Sequence, residues 1–175
     1  MLHLLSYGHT DAGTSAYTCD ASLRPLLWVE YRGVSTPDEL EACLVRGAAA
    51  LHSGGRALCI IDASRTWMVS AAERQRCARW LEAHEALLRE RLLGVAFVGA
   101  SPLVRLSLNI VCHLRAPPFP YFIASHVRSA GRWAAERLES LGLSVQARQV
   151  RERFDFSGQN DTWAIQPPLL AASSR

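Results

Sequence analysis

The stretch Ala57-Leu-Cys-Ile-Ile-Asp-Ala-Ser-Arg-Thr-Trp-Met-Val-Ser-Ala-Ala-Glu-Arg-Gln-Arg76 decides how the whole chain reads. An apolar run from Ala57 to Ile61 is too short for a typical helix, stops at Asp62, and gives way to a helical pattern that restarts at Ser70. This pattern predicts a buried strand, a polar loop and then a helix. In an open α/β sheet such a loop lies at the carboxyl end of a strand, where short polar side chains meet the positive end of a helix dipole. The functional surface is therefore expected at Asp62, Ser64, Arg65, Thr66, Trp67 and Ser70.

Upstream, Leu26 to Tyr31 is rich in residues that suit a pleated surface, and Arg32-Gly33 ends it. Thr36-Pro37-Asp38-Glu39 then opens a helix, with Thr36 as N-cap, Pro37 at the first helical position and Glu39 closing a capping box. Leu40, Cys43, Leu44 and Leu51 share one face at helical spacing, and Gly54-Gly55 stops the run. Gly47 lies on that face, which predicts close packing on the sheet.

Downstream, Ser70 and Glu73 form a second capping box for a helix expected to run to about Leu92. Leu93 to Gly99 reads as a strand buried on both faces. Ser101-Pro102 starts a helix to about Leu114, Ala116-Pro117-Pro118 breaks it, Phe119 to Ala124 forms a further strand, and Ser125 is expected to cap a last helix ending at Gly142. Strand and helix thus alternate four times, the pattern of a mostly parallel α/β sheet covered by helices. Residues 1–25 form an N-terminal β extension, 26–142 the α/β domain, and 143–175 a partly irregular C-terminal extension in which 143–150 adds an edge strand or a helix. On this reading a chain truncated after Gly142 still folds.

With 175 residues, 49% hydrophobic and 20% charged, the composition is that of one globular domain. All 19 basic residues are arginine, which points to a GC-rich, bacterial genome. The net charge of +3 is spread among acids, so charge alone implies neither nucleic acid nor an anionic membrane. Cys19, Cys43, Cys59, Cys77 and Cys112 are odd in number and form no Cys-x-x-Cys pair, arguing against a disulfide framework and a zinc site. With no signal-peptide pattern and no apolar run near the roughly 20 residues of a membrane span, a cytoplasmic location is expected.

No catalytic constellation emerges. A Gly-x-Ser-x-Gly elbow is absent, Cys112-His113 and His84-Glu85 are neighbours whose side chains diverge, and no glycine pattern matches a phosphate-binding loop. Asp62 is expected to cap loop amides, and Ser64, Thr66 and Ser70 to serve loop bonding and helix capping. Arg65 and Trp67 form an anchor pair suited to a protein contact.

The chain from about Leu26 to Gly142 resembles the STAS domain, the fold of bacterial anti-sigma-factor antagonists, and its divergent stand-alone bacterial relatives. The resemblance rests on element order, on the strand ending Ile60-Ile61-Asp62-Ala63-Ser64, and on the strand-helix pairs Val95 to Leu114 and Tyr121 to Leu141. In the antagonists a strand ends in Asp-x-Ser, and an Asp-Ser-Ser/Thr-Gly loop then presents a serine phosphorylated by a partner kinase. Asp62 and Ser64 match the first part; Met68-Val69-Ser70-Ala71-Ala72 aligns with the second but lacks its aspartate and glycine. The resemblance implies a non-enzymatic regulatory or scaffold module that needs no cofactor or metal and binds a protein partner, with Ser64 and Ser70 as candidate phosphoacceptors. A homodimer stays open, and a carrier of a lipid or nucleotide is the alternative.

Overall fold

The computed structural model describes residues 16–33, 35–66 and 68–154. The part of the expected N-terminal β extension before Ala16, Trp67 and the tail beyond Phe154 lie outside the described residues. Among the described residues five strands form one sheet in sequence order: β1 (Tyr17–Asp20), β2 (Leu26–Arg32), β3 (Ala57–Arg65), β4 (Leu92–Val98) and β5 (Tyr121–Ala124). β1 pairs antiparallel with β2, and all later pairings are parallel. This is the expected α/β architecture with its N-terminal β extension.

Because neighbouring parallel strands follow one another in sequence, right-handed crossovers must all pass over the same face. That face carries α1 (Pro37–Gly54), α2 (Ala71–Ala83), α3 (Glu85–Arg91) and α4 (Pro102–Leu114). Leu51 of α1 and Leu88 of α3 meet Leu27, Cys59 and Val95, while Val104 of α4 joins Tyr31 and Ala63. The other face needs chain from beyond the crossovers, supplied by α5 (Val127–Ser140) and α6 (Ser144–Arg153). Ala130, Ala134 and Leu138 of α5, with Ala147 and Val150 of α6, enclose Leu26, Leu58, Ile60, Ala96 and Val98. The boundary drawn at Gly142 therefore falls inside a core rather than at its edge, and the 143–150 segment is a helix.

The capping signals are realised. Thr36 and Glu39 bond reciprocally, Ser70 and Glu73 do the same, and Ser101 Oγ accepts the Leu103 N–H. Gly142, at φ 78°, takes the left-handed turn after α5 that lets the N–H groups of Gly142 and Leu143 reach Glu139 and Leu138.

Three local expectations are corrected. The single helix to Leu92 is two helices broken at His84, whose ring stacks on Trp80 and whose Nδ1 lies 3.0 Å from the Trp80 carbonyl. Ser125 does not cap α5: His126 is the N-cap, with no side-chain cap bond. Gly47 is not pressed on the sheet, since a Cβ there would meet nothing within 4 Å. Close approach occurs instead at Gly94, where a Cβ would stand 2.7 Å from the Trp133 ring and 3.2 Å from the Pro120 carbonyl.

Candidate functional site

β3 continues past the apolar run, so Asp62, Ser64 and Arg65 belong to the strand and the true loop is shorter. The extension holds because Asp62 pairs with both Glu30 and Val98. Between Glu30 and Arg32 the register shifts, leaving Tyr31 opposite both Ala63 and Ser64. A bulge of this kind frees backbone groups. Asp62 Oδ1 accepts the Ser64 N–H at 2.9 Å, in keeping with its expected amide-capping role.

The sheet divides the expected site residues between its two faces. Asp62 and Arg65 line a cavity of about 380 Å³ on the face of α5 and α6, together with Trp28, Glu30 and Phe154. Arg65 is exposed and lies 3.4 Å from Glu30, which also holds Arg32 at 2.6 Å; the bond from Arg32 keeps the Glu30 carboxyl below its ordinary range. Thr66 is buried, and its Oγ1 donates to the Tyr31 carbonyl at 3.3 Å, so it ties β3 to β2 rather than facing a partner. Ser70 is exposed at the start of α2, where its Oγ accepts the Glu73 N–H.

Glu73 is the residue whose wider role the sequence concealed. As a capping-box acid it takes the Ser70 N–H on Oε2 at 2.7 Å. Its Oε1 accepts from Ser35 Oγ at 2.6 Å and from Tyr31 Oη at 2.9 Å. Tyr17 stacks on Tyr31 with ring centroids 4.6 Å apart and reaches Ser35 Oγ with its hydroxyl. Burial opposes the Glu73 charge, yet the hydrogen bonds from Ser35, Ser70 and Tyr31 outweigh it and hold the carboxyl below its ordinary value. Burial raises the Tyr17 and Tyr31 phenols, so both stay protonated. The sequence shows the Ser70–Glu73 capping box, but nothing in it links Glu73 to Tyr31 or Ser35.

Chemically, the polar groups near α2 are already bonded to one another. Burial pushes the Cys43, Cys77 and Cys112 thiols up to about 11 and Cys59 further still, leaving them poor nucleophiles near neutral pH. All five cysteines are free, and among the described residues no group of three His, Cys, Asp or Glu side chains could hold a metal ion. No described helix is long and apolar enough to cross a membrane. Three exposed apolar side chains follow the carboxyl ends of β3 and β4 in the chain, Met68 at 63%, Leu103 at 58% and Leu106 at 56% exposed, while others such as Val45 and Val145 lie on α1 and α6.

No protein-family model and no curated protein matches the sequence. Among solved structures, the chain is similar to an uncharacterized protein of the DUF3478 family, with a SpoIIAA-like fold, from Shewanella loihica PV-4. The two share 17% identity at a TM-score of 0.50, over 67% of this chain and 91% of the other. The likeness concerns the fold alone, and this chain has the SpoIIAA-like, STAS-like α/β fold.

Proposed function

We propose that the chain is a non-enzymatic regulatory or scaffold module that binds a protein partner through the β3–α2 loop, the start of α2 and the outer face of α4. The supporting observation is that Met68, Leu103 and Leu106 are exposed in the segments that follow the carboxyl ends of two paired parallel strands, Met68 two residues before the capped and exposed Ser70. Exposed apolar side chains rimmed by polar groups are the usual mark of a protein contact. A non-enzymatic role fits the saturation of the polar groups: both Glu73 oxygens are engaged and the thiols are raised.

Regulation by phosphate at Ser70 has a physical route. A phosphate there would gain the positive end of α2 but stand beside the Glu73 carboxylate, which accepts the Ser70 N–H. Repulsion would move Glu73 off its cap and loosen its bonds to Ser35 and Tyr31. Ser64, half-buried within the bulge, offers less access.

The test is affinity capture from the native host with wild type and a Met68→Glu/Leu103→Glu variant, both checked for an unchanged melting temperature. A polypeptide retained by wild type and lost by the variant supports this reading. Equal recovery from both removes the loop and α4 from the interface.

A further inference from the structure

The cavity on the opposite face is independent of that protein-binding surface, and its chemistry is unusual in one respect. Asp62 is 6% exposed, its Oδ1 accepts the Ser64 N–H, and among the described residues no cation lies within ion-pair distance of it. Its neighbour Glu30 differs, with Arg32 and Arg65 both in reach. A carboxylate that lines a cavity and has one oxygen held by a backbone amide can offer its other oxygen to a cationic ligand as a charge-assisted acceptor.

The walls define what kind of cation fits. Trp28 and Phe154 form an aromatic corner, with centroids 5.3 Å apart and planes inclined by 32°, and Leu23, Leu26 and Val127 add apolar surface. The volume of about 380 Å³ lies in the range of small-ligand pockets. Three carboxylates line it, Asp20, Glu30 and Asp62, against two guanidinium groups, Arg65 and Arg153. That balance disfavours a phosphate-bearing nucleotide or an anionic lipid headgroup. An aromatic corner and a carboxylate lining one cavity suit an ammonium or guanidinium group on an apolar stem, through cation–π contact and a charge-assisted hydrogen bond.

We infer that this cavity binds a small organic cation, a primary amine or guanidine with an aromatic or alkyl body, with Asp62 as its counter-ion and Trp28 and Phe154 as its aromatic wall. This is a site distinct from the proposed protein contact. No covalent step is involved.

The experiment is calorimetric titration of the full chain with 2-phenylethylamine and agmatine as cationic probes, and with 2-phenylethanol and 3-phenylpropionate as neutral and anionic controls. At least one cation is expected to bind at least tenfold more tightly than either control. Asp62→Asn keeps an oxygen for the Ser64 N–H, so this variant should fold while losing at least tenfold in affinity. Phe154→Ala, at the rim, should weaken binding without depending on the Asp62 substitution. The inference is overturned if neither cation binds at millimolar concentration, if the controls bind as well, or if a folded Asp62→Asn retains wild-type affinity. Should Asp62→Asn fail to fold, unchanged binding by Phe154→Ala overturns it instead.

Discussion

Ser35 Oγ donates to Glu73 Oε1 at 2.6 Å and so fastens the segment after β2 to the first turn of α2. The same carboxylate accepts the Tyr31 hydroxyl and the Ser70 N–H, placing one acid at the meeting point of a strand, a connecting segment and a helix cap. A carboxylate with several donors resists protonation, which gives the site a pH signature.

Glu73 sits below its ordinary value of 4.5 in the folded chain. Its contribution to stability is therefore fully present above about pH 5 and is lost as pH falls through the folded value. Glu73→Gln should lower stability at pH 7 by about 1–2 kcal/mol and flatten the acid limb below about pH 5. Urea denaturation at a series of pH values measures both effects. An unchanged acid limb would show that Glu73 is not held by these donors.

Helix starts should respond according to their caps. Ser70→Ala and Ser101→Ala each remove an observed cap bond and should cost about 1 kcal/mol. Ser125→Ala, at a position expected from sequence to cap α5, should stay within about 0.5 kcal/mol because no side-chain bond caps that helix. Parallel thermal melts of the three variants make the comparison.

Two glycines should behave in opposite ways. Gly47→Ala has open space and a helical backbone, so it should stabilise by roughly 0.5–1 kcal/mol. Gly94→Ala drives a methyl group into Trp133 and the Pro120 carbonyl, and should destabilise by about 1–3 kcal/mol. Equilibrium unfolding of both variants tests the assignment of close approach to β4 rather than α1.

Truncation after Gly142 should abolish the cooperative thermal transition. The sequence pattern favoured a folded product, but Ala147 and Val150 are 0% and 1% exposed within the cluster that covers one face of the sheet. Removing α6 exposes that face to water, and burial of such surface is the main source of stability. A truncated chain that melts cooperatively near the full-length temperature would place α6 outside the folding unit.

What the sequence determined by itself is mostly local. Thr36 with Glu39, Ser70 with Glu73, and Ser101 with Pro102 mark helix starts because a cap is a contact between residues a few positions apart, and all three are observed. Apolar runs marked β3 and β4, and the alternation of elements implied the parallel pairing observed from β2 to β5, whereas the strand order came from the structure. Only the tertiary structure decided how far β3 extends, because Asp62 is held in the strand by its pairing with Glu30 and Val98. That extension sends Asp62 to the cavity and its neighbour Ala63 to the α4 face, so residues that looked like one loop serve opposite surfaces. The Tyr31–Glu73 bond joins residues 42 apart, and α6 covers a face left open by crossovers that all pass on one side. These features depend on which distant residues the fold brings together, information that no window of neighbouring residues carries.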